Sequence, residues 1–180
     1  MGAQMQQGDA GLIRTYSGIW FNVINPNFED IRIEDIAHAL SNQCRFGGHC
    51  RRFYSVAQHS VQVSQLCRPE DALWGLLHDA SEAYLSDVPR PLKHLAEFKA
   101  YRVAEERLQR CIVERFGLSA VQPDNVTAAD DNALMEEMCS LMSVDASLLV
   151  SPQSESSIST IKPCLPVEAE KRFLARFHEL

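Results

Sequence analysis

Residues 55–66, SVAQHSVQVSQL, and residues 72–82, ALWGLLHDASE, decide the fold. In the first stretch Val56, His59 and Val63 fall at three- and four-residue spacing, so they share one face of a helix. Ser55 stands where that helix needs an N-cap. In the second, Leu73, Leu76, Leu77 and Ala80 recur with the same period, and Pro69 suits the first turn of the helix that carries them.

The helical period continues outward from this pair. Ile33, Ile36, Ala37 and Leu40 predict a first helix that stops near Cys44, before the break at Gly47-Gly48. Pro89 and Pro91 end the third helix. A long one is expected from Leu92 to Phe116, with Gly117 as its stop, and another from Asp124 to Met142. Pro166–Leu180 reads as a last amphipathic helix with Val167, Phe173, Leu174 and Phe177 on its apolar side. Tyr84, Met135, Met138 and Met142 read as core. Ahead of the helices, Arg14–Ile24 alternates around Ser17-Gly18, the pattern of a short hairpin closed by Asn25-Pro26-Asn27. The expectation is an all-α, single-domain bundle over residues 15–180 with a short N-terminal β-hairpin. Residues 1–14 are expected to form a flexible N-terminus, and the Ser-rich residues 151–160 a mobile surface loop.

Composition narrows the function classes. With 46% apolar and 23% charged residues in 180, the chain has globular proportions and enough length for a substantial core. A formal charge of −7 argues against non-specific nucleic-acid binding, which depends on many cationic contacts to phosphate. No apolar run approaches the roughly 20 residues that cross a bilayer. Met1–Ala10 has neither a cationic start nor an apolar core, so no signal peptide and a cytoplasmic location are expected. The six cysteines are scattered without a CxxC pair and read as free thiols.

Three features carry possible chemistry. His59 lies on the apolar face of its helix; taken alone it also reads as a core histidine satisfied by a backbone carbonyl. His78-Asp79 ends an apolar helix, and Glu82 follows at the spacing that keeps the three on adjoining surface. Asp130 recurs with Val126, Leu134, Met138 and Leu141, and a carboxylate in such a stripe needs a compensating cation or donors. A small change of helix phase would instead exchange it with Asp131. Together His59, His78, Asp79 and Asp130 offer two imidazoles and two carboxylates on inward faces of three helices, a divalent-metal cage. Mixed N/O ligation suits Mn, Fe, Co, Ni or Zn better than Ca, and Mg is not excluded.

The ordered string His59 … His78-Asp79-Ala80-Ser81-Glu82 … Asp87 … Pro89 … Pro91 … Asp130 resembles the HD-domain phosphohydrolases. It is most similar to their small 5'-deoxynucleotidase branch and to phage dATP triphosphohydrolases, and the likeness runs from about Thr15 to Leu141. The resemblance implies a helical bundle, a homo-oligomer and a small nucleotide substrate. It implies that His59, His78, Asp79 and Asp130 hold the metal and that Glu82 positions or deprotonates the attacking water. Asp87 would lie near the scissile phosphate and sugar, and Arg45 would contact substrate. The histidines of a second metal site are missing, since only His94 and His178 follow Asp79, so one metal ion is expected. The hairpin is no part of the HD core.

Around these residues, Arg45, His49, Arg51 and Arg52 form a cationic cluster. Arg45 suits a phosphate fork, whereas His49 reads either as lining the entrance or as structural. Lys93 and His94 could reach a phosphate. Trp20 and Phe46 could stack a base, although aromatic side chains are more often core. The expected reaction is release of phosphate from a deoxynucleoside monophosphate. The runner-up is removal of triphosphate from a deoxynucleoside triphosphate. A nucleotide-binding HD module without turnover is the third reading, and the completeness of the His59, His78, Asp79, Glu82 and Asp130 set speaks against it.

Overall fold

The structure, a computed structural model, describes residues 11–142 and 161–180. The expected Ser-rich loop at 151–160 and the first ten residues of the expected flexible terminus lie outside the described residues. The described chain is mostly helical with one small hairpin, as the periodicity indicates.

Strand β1 (Leu12–Arg14) pairs antiparallel with β2 (Trp20–Asn22), with Ile13 opposite Phe21 and Arg14 opposite Trp20. The strand starts before Arg14, so Leu12 and Ile13 are hairpin rather than free terminus. The hairpin is docked at two points. At its tip the Ser17 amide and hydroxyl donate to Asp35 at 2.6 and 2.8 Å. Asp35 is buried in the first turn of α1 (Ile33–Asn42), where a carboxylate also meets the favourable end of the helix dipole. At its base Phe21 is fully buried and stacks on Tyr84 with ring centroids 4.2 Å apart. The hairpin thus closes one end of the core.

Helix α2 (Val56–Leu66) begins where Ser55 predicts, its hydroxyl accepting from the Gln58 amide at 3.1 Å. It is the central helix, packed on α1, α3 (Ala72–Leu77), α7 (Asp124–Leu141) and α8 (Pro166–Glu179). Its close approach to α3 depends on Gly75: a Cβ there would lie 2.6 Å from Cys67 Sγ and 3.2 Å from the Ser64 Cα. The main core gathers Phe21, Ile31, Ile36, Leu40, Leu76, Leu77, Leu108, Ile112 and Phe173. A second cluster joins Val63 and Trp74 to Val126, Ala129 and Ala133 of α7.

Two expected helices are broken. The one through His78 splits into α3 and α4 (Glu82–Leu85), joined by tight i→i−3 bonds such as Ala80 N to Leu77 O and Glu82 N to Asp79 O. Gln109 satisfies the backbone groups that the break frees, donating to Leu77 O and accepting from Ser81 N. The long helix α6 (Lys99–Arg115) begins at Lys99 rather than Leu92. The prolines set off a separate α5 (Arg90–Lys93), and the Arg102 guanidinium captures the carbonyls of Lys93 and Leu95 that a continuous helix would have used. The core reading of Met135 fails, and Val167 does not lie on the packed side of the last helix. Met135 is 39% and Val167 58% exposed, because the buried faces of α7 and α8 run instead through Ala129, Ala133 and Glu137, and through Ala169 and Phe173. Among the described residues, no helix is long and apolar enough to cross a membrane.

Candidate metal centre

Three segments meet at one point. Helix α2 delivers His59, the tight turn after α3 delivers His78 and Asp79, and α7 delivers Asp130. The Nε2 atoms of His59 and His78 stand 3.3 Å apart. Asp79 Oδ2 lies 3.2 Å from His78 Nε2 and 3.7 Å from His59 Nε2. Asp130 Oδ1 lies 3.2 Å from His59 Nε2 and 3.9 Å from His78 Nε2. One ligand atom from each of His59, His78 and Asp79 falls within 4.8 Å of the others, so the group could hold a metal ion.

The outer nitrogens show why a cation belongs there. His78 Nδ1 lies 2.8 Å from the Gly75 carbonyl, which can only accept, so Nδ1 carries hydrogen and Nε2 is left with its lone pair when the ring is neutral. His59 Nδ1 lies 2.7 Å from Glu137 Oε1 and donates to that carboxylate. Two neutral rings would therefore aim both Nε2 lone pairs, and two carboxylates, at the same place. Such a set suits a proton or a metal cation. Without metal the proton takes the place. Burial opposes charge on His78, but Asp79 first and then Asp130 push its pKa up to about 9. Burial would raise Asp79, yet His78, His59 and Arg45 hold its carboxyl far below the usual range.

Glu137, which the sequence reading does not single out, belongs to the same group of side chains. It is fully buried, two turns after Asp130 on the same face of α7. Its Oε2 accepts from both Nε and Nη2 of Arg45 at 3.0 Å, while Arg45 Nη1 lies 3.7 Å from Asp79. Burial would raise the Glu137 carboxyl, but His59 and then Arg45 keep it low and ionised. The signal was present in the sequence: a second acid seven residues after Asp130 keeps nearly the same helix phase. Arg45, expected at the substrate, is thus engaged by two carboxylates of the centre.

Glu82 is buried beside this group. Its Oε1 accepts from Lys93 Nζ at 3.2 Å, and Lys93 is held also by Glu105 at 2.7 Å. Its Oε2 is buried and has no hydrogen-bond partner among the described residues. Burial, then the charges of Asp79 and Asp87, push the Glu82 pKa well up, with Lys93 opposing. Gln43 ties this segment to the Arg45 loop: its side chain donates to Glu82 O and accepts from the Asp87 amide. Asp87 is part-buried, raised by burial first, with Arg45 and Lys93 acting against the rise. Arg90, not singled out in the sequence, donates to Asp130 Oδ2 at 3.2 Å from an exposed position on α5.

The remaining candidates are dispersed. Phe46, at φ 55°, lies under the Arg45 guanidinium, 5.3 Å from ring centroid to Cζ. Trp20 is 62% exposed beneath Arg14 of the paired strand, and His49 is exposed beyond the Arg45–Gly48 turn. Among the described residues no hydrogen bond, ion pair or ring contact joins either to the cluster. A groove of about 630 Å³ runs between α2 and α8 past Gln62, Lys162 and Arg176 and includes none of the cluster residues.

The chain matches no protein-family model. It is 41% identical over 170 residues to the uncharacterized protein YfdR of Escherichia coli strain K12, covering 93% of this chain and 94% of that one. It is 38% identical over 125 residues to an uncharacterized protein of Rhodobacter capsulatus, covering 64% of this chain and 63% of that one.

Proposed function

We propose that this chain, which belongs to the family of Escherichia coli YfdR, is a divalent-metal-dependent phosphohydrolase of the HD type that releases phosphate from deoxynucleoside monophosphates. The observation that carries this reading is the convergence of His59 Nε2, His78 Nε2, Asp79 Oδ2 and Asp130 Oδ1. Their mixed N/O chemistry fits one ion such as Mn, Fe, Co, Ni or Zn. When bound, that ion supplies Lewis acidity towards a phosphoryl oxygen and lowers the pKa of a water.

The protein's own groups do the rest. Lys93 occupies Glu82 Oε1, leaving Oε2 as the free acceptor for a water proton. The raised pKa of Glu82 comes from burial and then from Asp79, and a cation on Asp79 offsets that second cause. Water oxygen attacks phosphorus and gives its proton to Glu82, the ester P–O bond breaks, and the departing 5'-oxygen takes up that one proton, returned from Glu82 directly or by way of Asp87. Asp87 lies beside this group and suits a sugar hydroxyl or the leaving-group proton. Arg45 is turned first to Glu137 and Asp79, which favours a bracing role over a phosphate fork.

One observation favours a second reading, removal of triphosphate from a deoxynucleoside triphosphate such as dATP. Helix α5 brings Lys93 to Glu82 and Arg90 to Asp130, two cations beyond Arg45 that a longer phosphate chain would engage. Product analysis separates the readings. The four deoxynucleoside mono- and triphosphates and their ribo counterparts are offered with Mn, Co, Zn or Mg. Orthophosphate from monophosphates supports the nucleotidase, and tripolyphosphate from triphosphates supports the second. Tight nucleotide binding without product under every metal leaves a binding module instead.

A further inference from the structure

We infer that Glu137 is a positioning residue of the metal centre: it fixes the His59 ring with Nδ1 protonated and Nε2 open, and Arg45 holds it in place. The inference rests on the metal reading of the cluster. Both partners of the contact are fully buried, so water cannot substitute for either, and 2.7 Å is a short, charge-assisted bond. The two oxygens of Glu137 have separate duties, Oε1 to the imidazole and Oε2 to the guanidinium. Arg45 cannot deprotonate, so the carboxylate stays charged and can only accept. A ring that donates from Nδ1 must turn its other nitrogen away from Glu137, and that nitrogen is the one beside His78 and Asp130. Because Glu137 and Asp130 share α7, the helix supplies both a donor to the centre and the brace behind another. Outer partners of metal-bound histidines set tautomer, orientation and basicity in this way.

The test compares the wild-type chain with Glu137→Gln and Glu137→Asp. The imidazole resonances of the 15N-labelled proteins are recorded before metal addition, and Mn(II) affinity is measured by calorimetry. In the wild type the His59 Nδ1 proton should resonate far downfield and exchange slowly. In Glu137→Gln it should move upfield, and Mn(II) affinity should fall about 10–100-fold. Glu137→Asp keeps the charge that Arg45 requires, withdraws the oxygens by one methylene, and should fall between; it carries the test where the glutamine variant does not fold. Variants that match the wild type in both readouts overturn the inference and leave the metal centre standing. A wild type that takes up no Mn(II) overturns the metal reading itself, and the role of Glu137 with it.

Discussion

His59 Nδ1 lies 2.7 Å from Glu137 Oε1, with both side chains fully buried. The contact joins α2 to α7 through charge rather than through apolar packing, directly behind the four-residue cluster. A buried charge in this place has to be matched on both oxygens, and Arg45 matches the second. The centre is therefore built as a chain of paired groups: Arg45, Glu137, His59, then the meeting point with His78, Asp79 and Asp130.

Arg45 is accordingly a stability residue before it is a substrate residue. Arg45→Met leaves Glu137 Oε2 buried without its cation and should cost about 3–5 kcal/mol, or on the order of 10 °C in melting temperature. Arg45→Lys keeps charge without the fork and should lose less. Thermal unfolding by circular dichroism reads the difference. A wild-type melting temperature in Arg45→Met, with only KM raised, would return Arg45 to the role of a phosphate fork.

Asp79 and Glu82 should separate cleanly in function. Asp79→Ala removes a donor to the centre, so both bound metal and turnover should be lost. Glu82→Gln leaves the donors intact, so metal content should remain while kcat falls about 10²–10⁴-fold. Metal analysis after dialysis, paired with phosphate release, checks both. A fully active Asp79→Ala enzyme is incompatible with the site as described.

Metal uptake should depend steeply on pH. The folded His78 pKa of about 9 lies above the ordinary 6.5, so in the metal-free chain its proton contributes stability fully below 6.5, lost as pH rises through 9. Metal needs the same lone pair and must displace that proton. Affinity should therefore climb by about tenfold per unit through this window and level off near its upper end. Calorimetry at neutral pH in buffers of different ionisation enthalpy should show about one proton released per ion. Affinity independent of pH between these limits would mean that His78 is not a ligand.

Gly75 fixes the approach of α2 to α3, and hence of His59 to His78. In Gly75→Ala the new methyl meets Cys67 Sγ at 2.6 Å and the Ser64 backbone at 3.2 Å. The sulfur can move; the backbone must shift by a few tenths of an ångström. A cost of about 1–3 kcal/mol is expected, with weaker metal binding. Adding Cys67→Ala should recover part of the stability. Unchanged stability and affinity in Gly75→Ala would show that the crossing has slack.

Much of this was legible in the sequence, for physical reasons. The helices α1, α2 and α7 follow from spacing, and α2 also from its Ser55 cap. His59 and Asp130 stand out as polar residues within apolar stripes and His78-Asp79 as a pair at the end of an apolar helix, and the structure brings the four together. What was not legible is tertiary. Nothing local announces the helix break at His78, because Gln109 that supports it lies on α6. The late start of α6 depends likewise on Arg102 reaching back to two carbonyls. The stripe Val126, Leu134, Met138 and Leu141 does not point to Glu137: Val126 and Leu141 are buried, but between them the buried face runs through Ala129, Ala133 and Glu137 rather than through Leu134 and Met138.

The most direct test of the metal centre is anomalous diffraction from a crystal soaked in Mn(II). One peak is expected about 2.0–2.3 Å from His59 Nε2, His78 Nε2, Asp79 and Asp130, with Glu137 still bonded to His59 Nδ1. No peak at this point, with His78 and Asp79 remaining a closed ion pair while metal binds elsewhere or not at all, would contradict it.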